Sequence, residues 1–337
     1  MSIGAAIYGC GGTELAESEA RFFREARPWG FILFARNVAS AAQLRRLTAD
    51  LRAAAGHDAP VLIDQEGGRV QRLCPPHWRA WPPGRRYGDL YARNAEAGLL
   101  AARLGAELIA AELRHAGITI DCLPVLDVPV PGADDVIGDR AYGETPGPVA
   151  ALGLAAAEGL LAGGVLPVIK HIPGHGRAAV DSHKHLPVVE TPLDELRRVD
   201  FVPFHALRHM PLAMTAHVVY TAIDPAQPAT TSATVISDII RGEIGFEGCL
   251  MSDDLSMQAL SGSLTERTRA SLAAGCDLVL HCNGKMAEME EVAAAAPNLA
   301  GEALRRADAA LAAVATPPAA ARDSATAWAE FSALMTG

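Results

Sequence analysis

Apolar residues along this chain of 337 fall into eight short runs rich in β-branched side chains, at 3–8, 30–34, 61–65, 118–126, 165–171, 212–220, 248–253 and 277–281. Most runs are continuous rather than alternating, which is the pattern of a strand buried on both faces. Between them lie Ala-rich, amphipathic segments, which predict helices at 13–26, 39–55, 95–116, 147–162, 192–208, 232–244 and 264–274, with another at 286–295 after the eighth strand. Eight strand and helix units in succession predict an α/β fold with a parallel sheet closed into a TIM-type (β/α)8 barrel. A doubly wound open sheet is the alternative. Its dinucleotide-binding form carries a G-x-G-x-x-G turn after the first strand, and none is present here.

The polar residues support the barrel. Asp64, Asp127, Lys170 with His171, His217, Asp253 with Asp254, and His281 all stand at the C-terminal ends of predicted strands, the end at which (β/α)8 barrels build their sites. Residues 74–89, rich in Pro, Trp and Arg, read as a loop over the third strand end. After residue 296, two more Ala-rich stretches separated by Pro317 and Pro318 are expected to pack on the barrel exterior. With no linker and no second core, residues 1–337 read as one domain.

Half of the chain is apolar, enough to bury a large core, and the formal charge of −10 comes with no long basic run. That balance argues against nucleic acid or an anionic membrane and favours a small or neutral ligand. The N-terminal stretch MSIGAAIYGCGGTELAESEA has no basic region before its short apolar run, so a secretory signal is not expected, and no stretch is long enough to span a membrane without a charge or breaker. Six cysteines (Cys10, Cys74, Cys122, Cys249, Cys276, Cys282) are scattered without a repeating spacing and read as buried free thiols in a reducing cytoplasm. A cytoplasmic monomer is the expectation.

The densest chemistry lies in KHIPGHGRAAVDSHKHLPVVE, residues 170–190, which places His171, His175, His183, His185 and Asp181 within fifteen residues. A single loop histidine is more often structural, but five titratable groups so close together point to a site. A metal reading lacks the His-Glu-x-x-His or Cys-x-x-Cys pair that would normally accompany it. Gly174 and Gly176 are expected to let this loop move. Three other stretches bring charge to the same end: LIDQEGGRVQRL with Asp64, Arg69 and Arg72; the segment bearing Asp127, Asp139 and Arg140; and CLMSDDLSMQAL. Adjacent residues on a strand point to opposite sides, so one of Asp253 and Asp254 is expected at the barrel mouth and the other at a helix cap. An ionised carboxylate there suits a nucleophile at an acetal carbon, and a His held by an Asp suits the acid that protonates the leaving oxygen.

The combination of IDQEGGRVQR, IGDRAYG, KHIPGHG with DSH, and SDDLSM resembles glycoside hydrolase family 3, specifically its single-domain bacterial β-N-acetylhexosaminidase branch. The four motifs span roughly residues 4–282, in the family's order. The resemblance implies a retaining exo-β-N-acetylglucosaminidase acting through a covalent glycosyl-enzyme. It implies Asp253 as nucleophile, His183 paired with Asp181 as acid/base, and Asp64, Arg140, Lys170 and His171 as ligands of the sugar, with Arg72 towards the aglycone. The implied substrate is a peptidoglycan-turnover fragment, GlcNAc on 1,6-anhydro-N-acetylmuramic acid with or without peptide, and no cofactor or metal is implied. A family 3 β-glucosidase, a β-GlcNAc phosphorylase, a metal-dependent hydrolase and a non-enzymatic sugar-binding protein are the competing readings. Asp127, Glu66 and His217 read as supporting residues.

Overall fold

The computed structural model of the chain describes residues 2–314 and 324–336. Eight parallel strands close into one barrel in chain order. They are β1 (Gly4–Tyr8), β2 (Pro28–Leu33), β3 (Val61–Ile63), β4 (Ile120–Asp121), β5 (Leu166–Ile172), β6 (Leu212–Thr215), β7 (Cys249–Asp254) and β8 (Leu278–His281). Each of the eight apolar runs supplies one of them. Their continuous hydrophobicity has the expected cause: Ala5, Ile7, Ile32, Leu62, Ile120, Leu166, Val168, Leu212, Met214, Cys249, Met251, Leu278 and Leu280 pack as one buried cluster. The alternate residues, among them Ala6, Tyr8, Phe31, Leu33, Val61, Ile63, Ile169, Ala213, Leu250 and Val279, belong to a second cluster shared with the helices.

The predicted helices 264–274 and 286–295 match Leu264–Ala274 and Met286–Ala295, and those over 39–55, 95–116 and 147–162 appear as Ala41–Ala55, Ala95–His115 and Pro146–Ala162. Three expectations need correction. The stretch 74–89 is a loop only to residue 83, because a helix, Gly84–Arg93, follows and buries Tyr87 and Leu90. The segment 192–208 breaks into Leu193–Arg198 and Phe201–Ala206, separated around the buried Asp200. Residues Val235–Glu243 form a π-helix.

A small sheet outside the barrel was not visible in the apolar pattern. It joins Val188–Val189 to Val219–Tyr220 and Asp224–Pro228, and it anchors the far end of the His-rich loop. Beyond residue 296, Gly301–Ala312 and Ser324–Thr336 are helical. Phe331 and Trp328 of the latter pack against Trp81, and the Arg79 guanidinium lies over Trp328 at 4.8 Å. Pro317 and Pro318 lie outside the described residues. No helix among the described residues is long and apolar enough to cross a membrane. All six cysteines are free; Cys10, Cys122, Cys249 and Cys276 are buried as expected, whereas Cys74 is exposed.

Candidate active site

The inward-facing rows of the strands dictate where the polar residues meet. Counting by twos along β5, Leu166 and Val168 face the barrel interior and Lys170 ends the row; along β7, Cys249 and Met251 lead to Asp253; past β3, Leu62 leads to Asp64. These three ends, with Ile32, Phe34, Met214 and Leu280, form part of one open cavity at the C-terminal end of the barrel. Arg36, Arg69, Arg72, Arg140, His171, His175, Asp181, Ser182, His183 and Asp254 also line it. Every residue proposed from the sequence as catalytic or sugar-binding is in that lining.

Lys170 is 2% exposed, a position in which an ammonium needs carboxylate partners. It has two: its Nζ donates to Asp64 Oδ1 at 2.8 Å and lies 2.6 Å from Glu66 Oε1. Arg72 Nη2 donates to Asp64 Oδ2 at 3.0 Å, and Arg140 grips Glu66 through two parallel bonds of 2.8 Å. Arg140 therefore pairs with Glu66 and not with Asp64. Burial alone would raise the Asp64 and Glu66 carboxyls, but Lys170 with Arg72, and Arg140 with Lys170, outweigh it and hold both low. The result is an ionised lattice of two carboxylates and three cations at the cavity wall, which offers charged donors and acceptors to a polar ligand.

The turn that brings Arg72 back runs through Gly67 and Gly68, whose φ values of 95° and 58° disfavour any side chain. Arg69, on the same turn, donates to Asp139 Oδ1 at 3.0 Å and to the carbonyls of Val136 and Ile137. It thereby ties this hairpin to the segment that carries Arg140.

Asp127 is fully buried and organises the histidines. Its Oδ2 accepts from His171 Nδ1 at 2.7 Å, and its Oδ1 accepts the backbone amides of His171 and His175 at 3.2 and 2.7 Å. Burial would raise its carboxyl, but the His171 ring beside it brings it down to about 2. With Nδ1 donating to Asp127, His171 has its Nε2 available for a ligand.

Asp253 and Asp254 divide in role, but Asp254 ties a turn and not a helix, and both line the cavity. Asp254 accepts from Ser256 N and Cys282 N at 3.0 and 3.1 Å and from Ser256 Oγ at 2.6 Å, so it is fully committed to the following turn. Asp253 accepts only the Asp254 amide, at 2.8 Å, among the described residues, and keeps the rest of its carboxylate for the cavity. Burial would raise Asp253, but the His217 and His171 rings hold it below the ordinary range. His217 sits beneath, with Nε2 3.0 Å from the Asp254 carbonyl and Nδ1 2.7 Å from Thr230 Oγ1.

The Asp181–His183 pair stands on the turn above. His183 Nδ1 and its amide lie 2.8 and 2.9 Å from Asp181 Oδ1. The His183 side chain is 64% exposed and its Nε2 has no protein partner among the described residues. His185 is exposed and absent from the lining. The expectation that Gly174 and Gly176 supply mobility is corrected. A Cβ at Gly176 would lie 2.1 Å from the Val128 carbonyl, and the Gly174 carbonyl accepts from the buried Tyr220 hydroxyl at 2.7 Å, so these glycines permit close packing. Among the described residues, segment 179–186 has a single such tie, from Ser182 Oγ to His175 Nε2 at 3.0 Å.

His175 gives a pH test. Burial and the neighbouring His171 push its pKa down to about 4 from an ordinary 6.5. Because the folded value is the lower one, the unfolded chain takes up the proton first. The stability contributed is complete above pH 6.5 and is lost as pH falls to about 4, roughly 3 kcal/mol in all. Imidazole NMR should find the His175 ring neutral down to about pH 4, with denaturant unfolding showing the matching loss; a ring that titrates near 6.5 contradicts this.

Sequence reasoning underrated Glu66, which binds both Arg140 and Lys170, and it did not identify Ser182 or Phe34. For Glu66 the signal was available, since Asp64 and Glu66 are two residues apart and so share a face. Among the described residues no group of three or more His, Cys, Asp or Glu is placed to hold a metal ion.

Comparison with known proteins finds a family and relatives for the chain. Residues 15–316 match the glycosyl hydrolase family 3 N terminal domain. The β-hexosaminidase of Nitrosospira multiformis is 41% identical over 295 residues, covering 86% of this chain and 83% of that protein. That of Bordetella avium is 40% identical over 276 residues, covering 81% and 78%. Among solved structures, NagZ from Neisseria gonorrhoeae in complex with N-trifluoroacetyl-D-glucosamine superimposes with a TM-score of 0.85 at 32% identity, over 100% of this chain and 97% of that one. A family 3 β-N-acetylglucosaminidase from Paenibacillus sp. FPU-7 gives 0.84 at 32% identity, over 98% of this chain and 66% of that one.

Proposed function

Since the chain belongs to glycosyl hydrolase family 3, we propose that it is a retaining exo-β-N-acetylglucosaminidase that releases terminal GlcNAc through a covalent intermediate on Asp253. The observation that carries this reading is an ionised carboxylate, Asp253, ending an inward-facing row in a cavity whose rim bears the Asp181–His183 pair. Asp64, Lys170, Arg140 and His171 bind the ring hydroxyls of the terminal sugar. Asp253 attacks the anomeric carbon while protonated His183, through Nε2, gives its proton to the departing glycosidic oxygen. Neutral His183 then takes a proton from water as that water attacks the glycosyl-enzyme, and two inversions return the β-configuration. An imidazole in the acid/base role keeps a second anionic carboxylate away from Asp253.

The aglycone we propose is 1,6-anhydro-N-acetylmuramic acid, with or without peptide, released during cytoplasmic turnover of peptidoglycan. The cationic rim of Arg36, Arg69 and Arg72 suits an aglycone that carries a carboxylate. Named β-hexosaminidase and NagZ relatives support the acetamido sugar.

Sugar specificity provides the test. A site built to bond the acetamido group leaves polar atoms unpaired when that group is missing, which is worth roughly 10⁴-fold in discrimination. An aryl β-GlcNAc should therefore exceed the aryl β-glucoside in kcat/KM by about that factor, with neither rate changed by EDTA. Comparable rates on the two sugars would make the protein a β-glucosidase, and loss of activity in EDTA would favour a metal-dependent hydrolase.

A further inference from the structure

We propose that His175 is a positioning residue for the acid/base pair, acting through Ser182: its buried ring holds the one side chain that fixes the Asp181–His183 turn over the cavity. The inference rests on His183 being the acid/base, as argued above. His175 is 2% exposed and Ser182 3% exposed, and His175 Nε2 lies 3.0 Å from Ser182 Oγ. Ser182 stands between Asp181 and His183, so where its hydroxyl is held decides where both neighbours project.

The turn has little else to fix it. Asp181, His183, Lys184 and His185 bond among themselves, through the Asp181 carboxylate and carbonyl. Among the described residues, the Ser182–His175 contact is the one hydrogen bond from residues 179–186 to the rest of the protein. An exposed pair closed on itself gives the correct His tautomer but no fixed position, and a displacement of about 1 Å at a reacting group can cost on the order of 10²-fold.

His175, by contrast, is held from several sides. Its amide is bonded to Asp127 Oδ1 at 2.7 Å, its ring packs on that of His171 at 5.6 Å, and residues 174–176 are held by the Tyr220 hydroxyl and the close approach to Val128. The same Asp127 carboxylate also holds His171. Ligation of the sugar and placement of the acid thus hang on one buried carboxylate. The other ring nitrogen, Nδ1, is buried without a partner among the described residues, which leaves Ser182 as the polar contact that justifies a histidine here.

The test is Ser182→Ala, assayed by kcat/KM on two GlcNAc donors, one with a poor alkyl leaving group and one with 2,4-dinitrophenolate. The expected result is a loss of about 10- to 100-fold on the poor donor and little change on the activated one, with a native fold at the assay temperature and a melting point lowered by a few degrees because the buried His175 Nε2 loses its partner. In a His183→Ala background the same substitution should cost nothing further, because its effect passes through His183. His175→Gln, which retains a nitrogen donor in that direction, should recover activity on the poor donor that His175→Leu loses. Equal losses on both donors, or an undiminished cost in the His183→Ala background, would overturn the proposal. If His183→Ala discriminates between donors and Ser182→Ala does not, this inference alone fails; if His183→Ala does not discriminate, the acid assignment fails and takes the inference with it.

Discussion

Asp253→Asn is expected to lower kcat/KM on an aryl β-GlcNAc by roughly 10⁴-fold or more, the scale seen when an acting nucleophile is removed. The change is nearly isosteric, and its amide oxygen can still accept the Asp254 N–H that now bonds Asp253 Oδ1 at 2.8 Å. The Asp64, Lys170, Glu66 and Arg140 lattice is untouched. GlcNAc binding, read by calorimetry, should therefore survive within a few-fold. A 2-fluoro or 5-fluoro glycosyl donor should inactivate the native protein and leave its label on the peptide containing Asp253. Asp254 is a poor rival, because both of its oxygens are engaged by Ser256 and Cys282. Label on Asp254 would refute the assignment.

The second large effect concerns His183. Replacement by Ala should cost about 10² to 10⁴-fold on donors with poor leaving groups and far less on a dinitrophenyl donor, whose departure barely needs a proton. His171→Ala should weaken both donors alike if His171, which Asp127 holds through Nδ1, binds the sugar as proposed. Asp181→Asn should follow His183→Ala in direction. Burial would raise Asp181, but the His183 amide and ring hold it below the ordinary range, so an anion faces Nδ1 and supports the imidazolium that the acid step requires. Equal losses on both donors for His183→Ala would remove it from the acid role.

How much of this could be read from the chain follows from which interactions are local. The eight strands were legible because strands buried on two faces leave continuous apolar runs, and the site was legible because three of the inward rows end in a charge: Asp64, Lys170 and Asp253. Strand geometry told that Asp253 and Asp254 point to different sides, and the resemblance told which of them to expect as the nucleophile. The helix Gly84–Arg93 was hidden because Gly84, Gly88 and the preceding Pro82 and Pro83 lower its propensity, and its apolar face becomes apparent only once Tyr87 and Leu90 are seen to be buried.

Partner choice in the charged lattice was not legible. Arg140 joining Glu66, and Asp127 collecting His171 and His175, are contacts between residues separated by 74, 44 and 48 positions, which no local pattern encodes. Gly174 and Gly176 misled for the same reason. Glycine marks either freedom or close approach, and only the distance to Val128 and the bond from Tyr220 tell which one applies.

The central claim, a two-step displacement through Asp253, is tested most directly by time-resolved NMR of the sugar leaving an aryl β-GlcNAc. Two inversions predict that β-GlcNAc accumulates first and that the α-anomer appears only at the slower rate of mutarotation, in phosphate as in phosphate-free buffer. Prior appearance of the α-anomer would contradict the covalent mechanism, and sugar 1-phosphate formed in place of free GlcNAc would contradict hydrolysis.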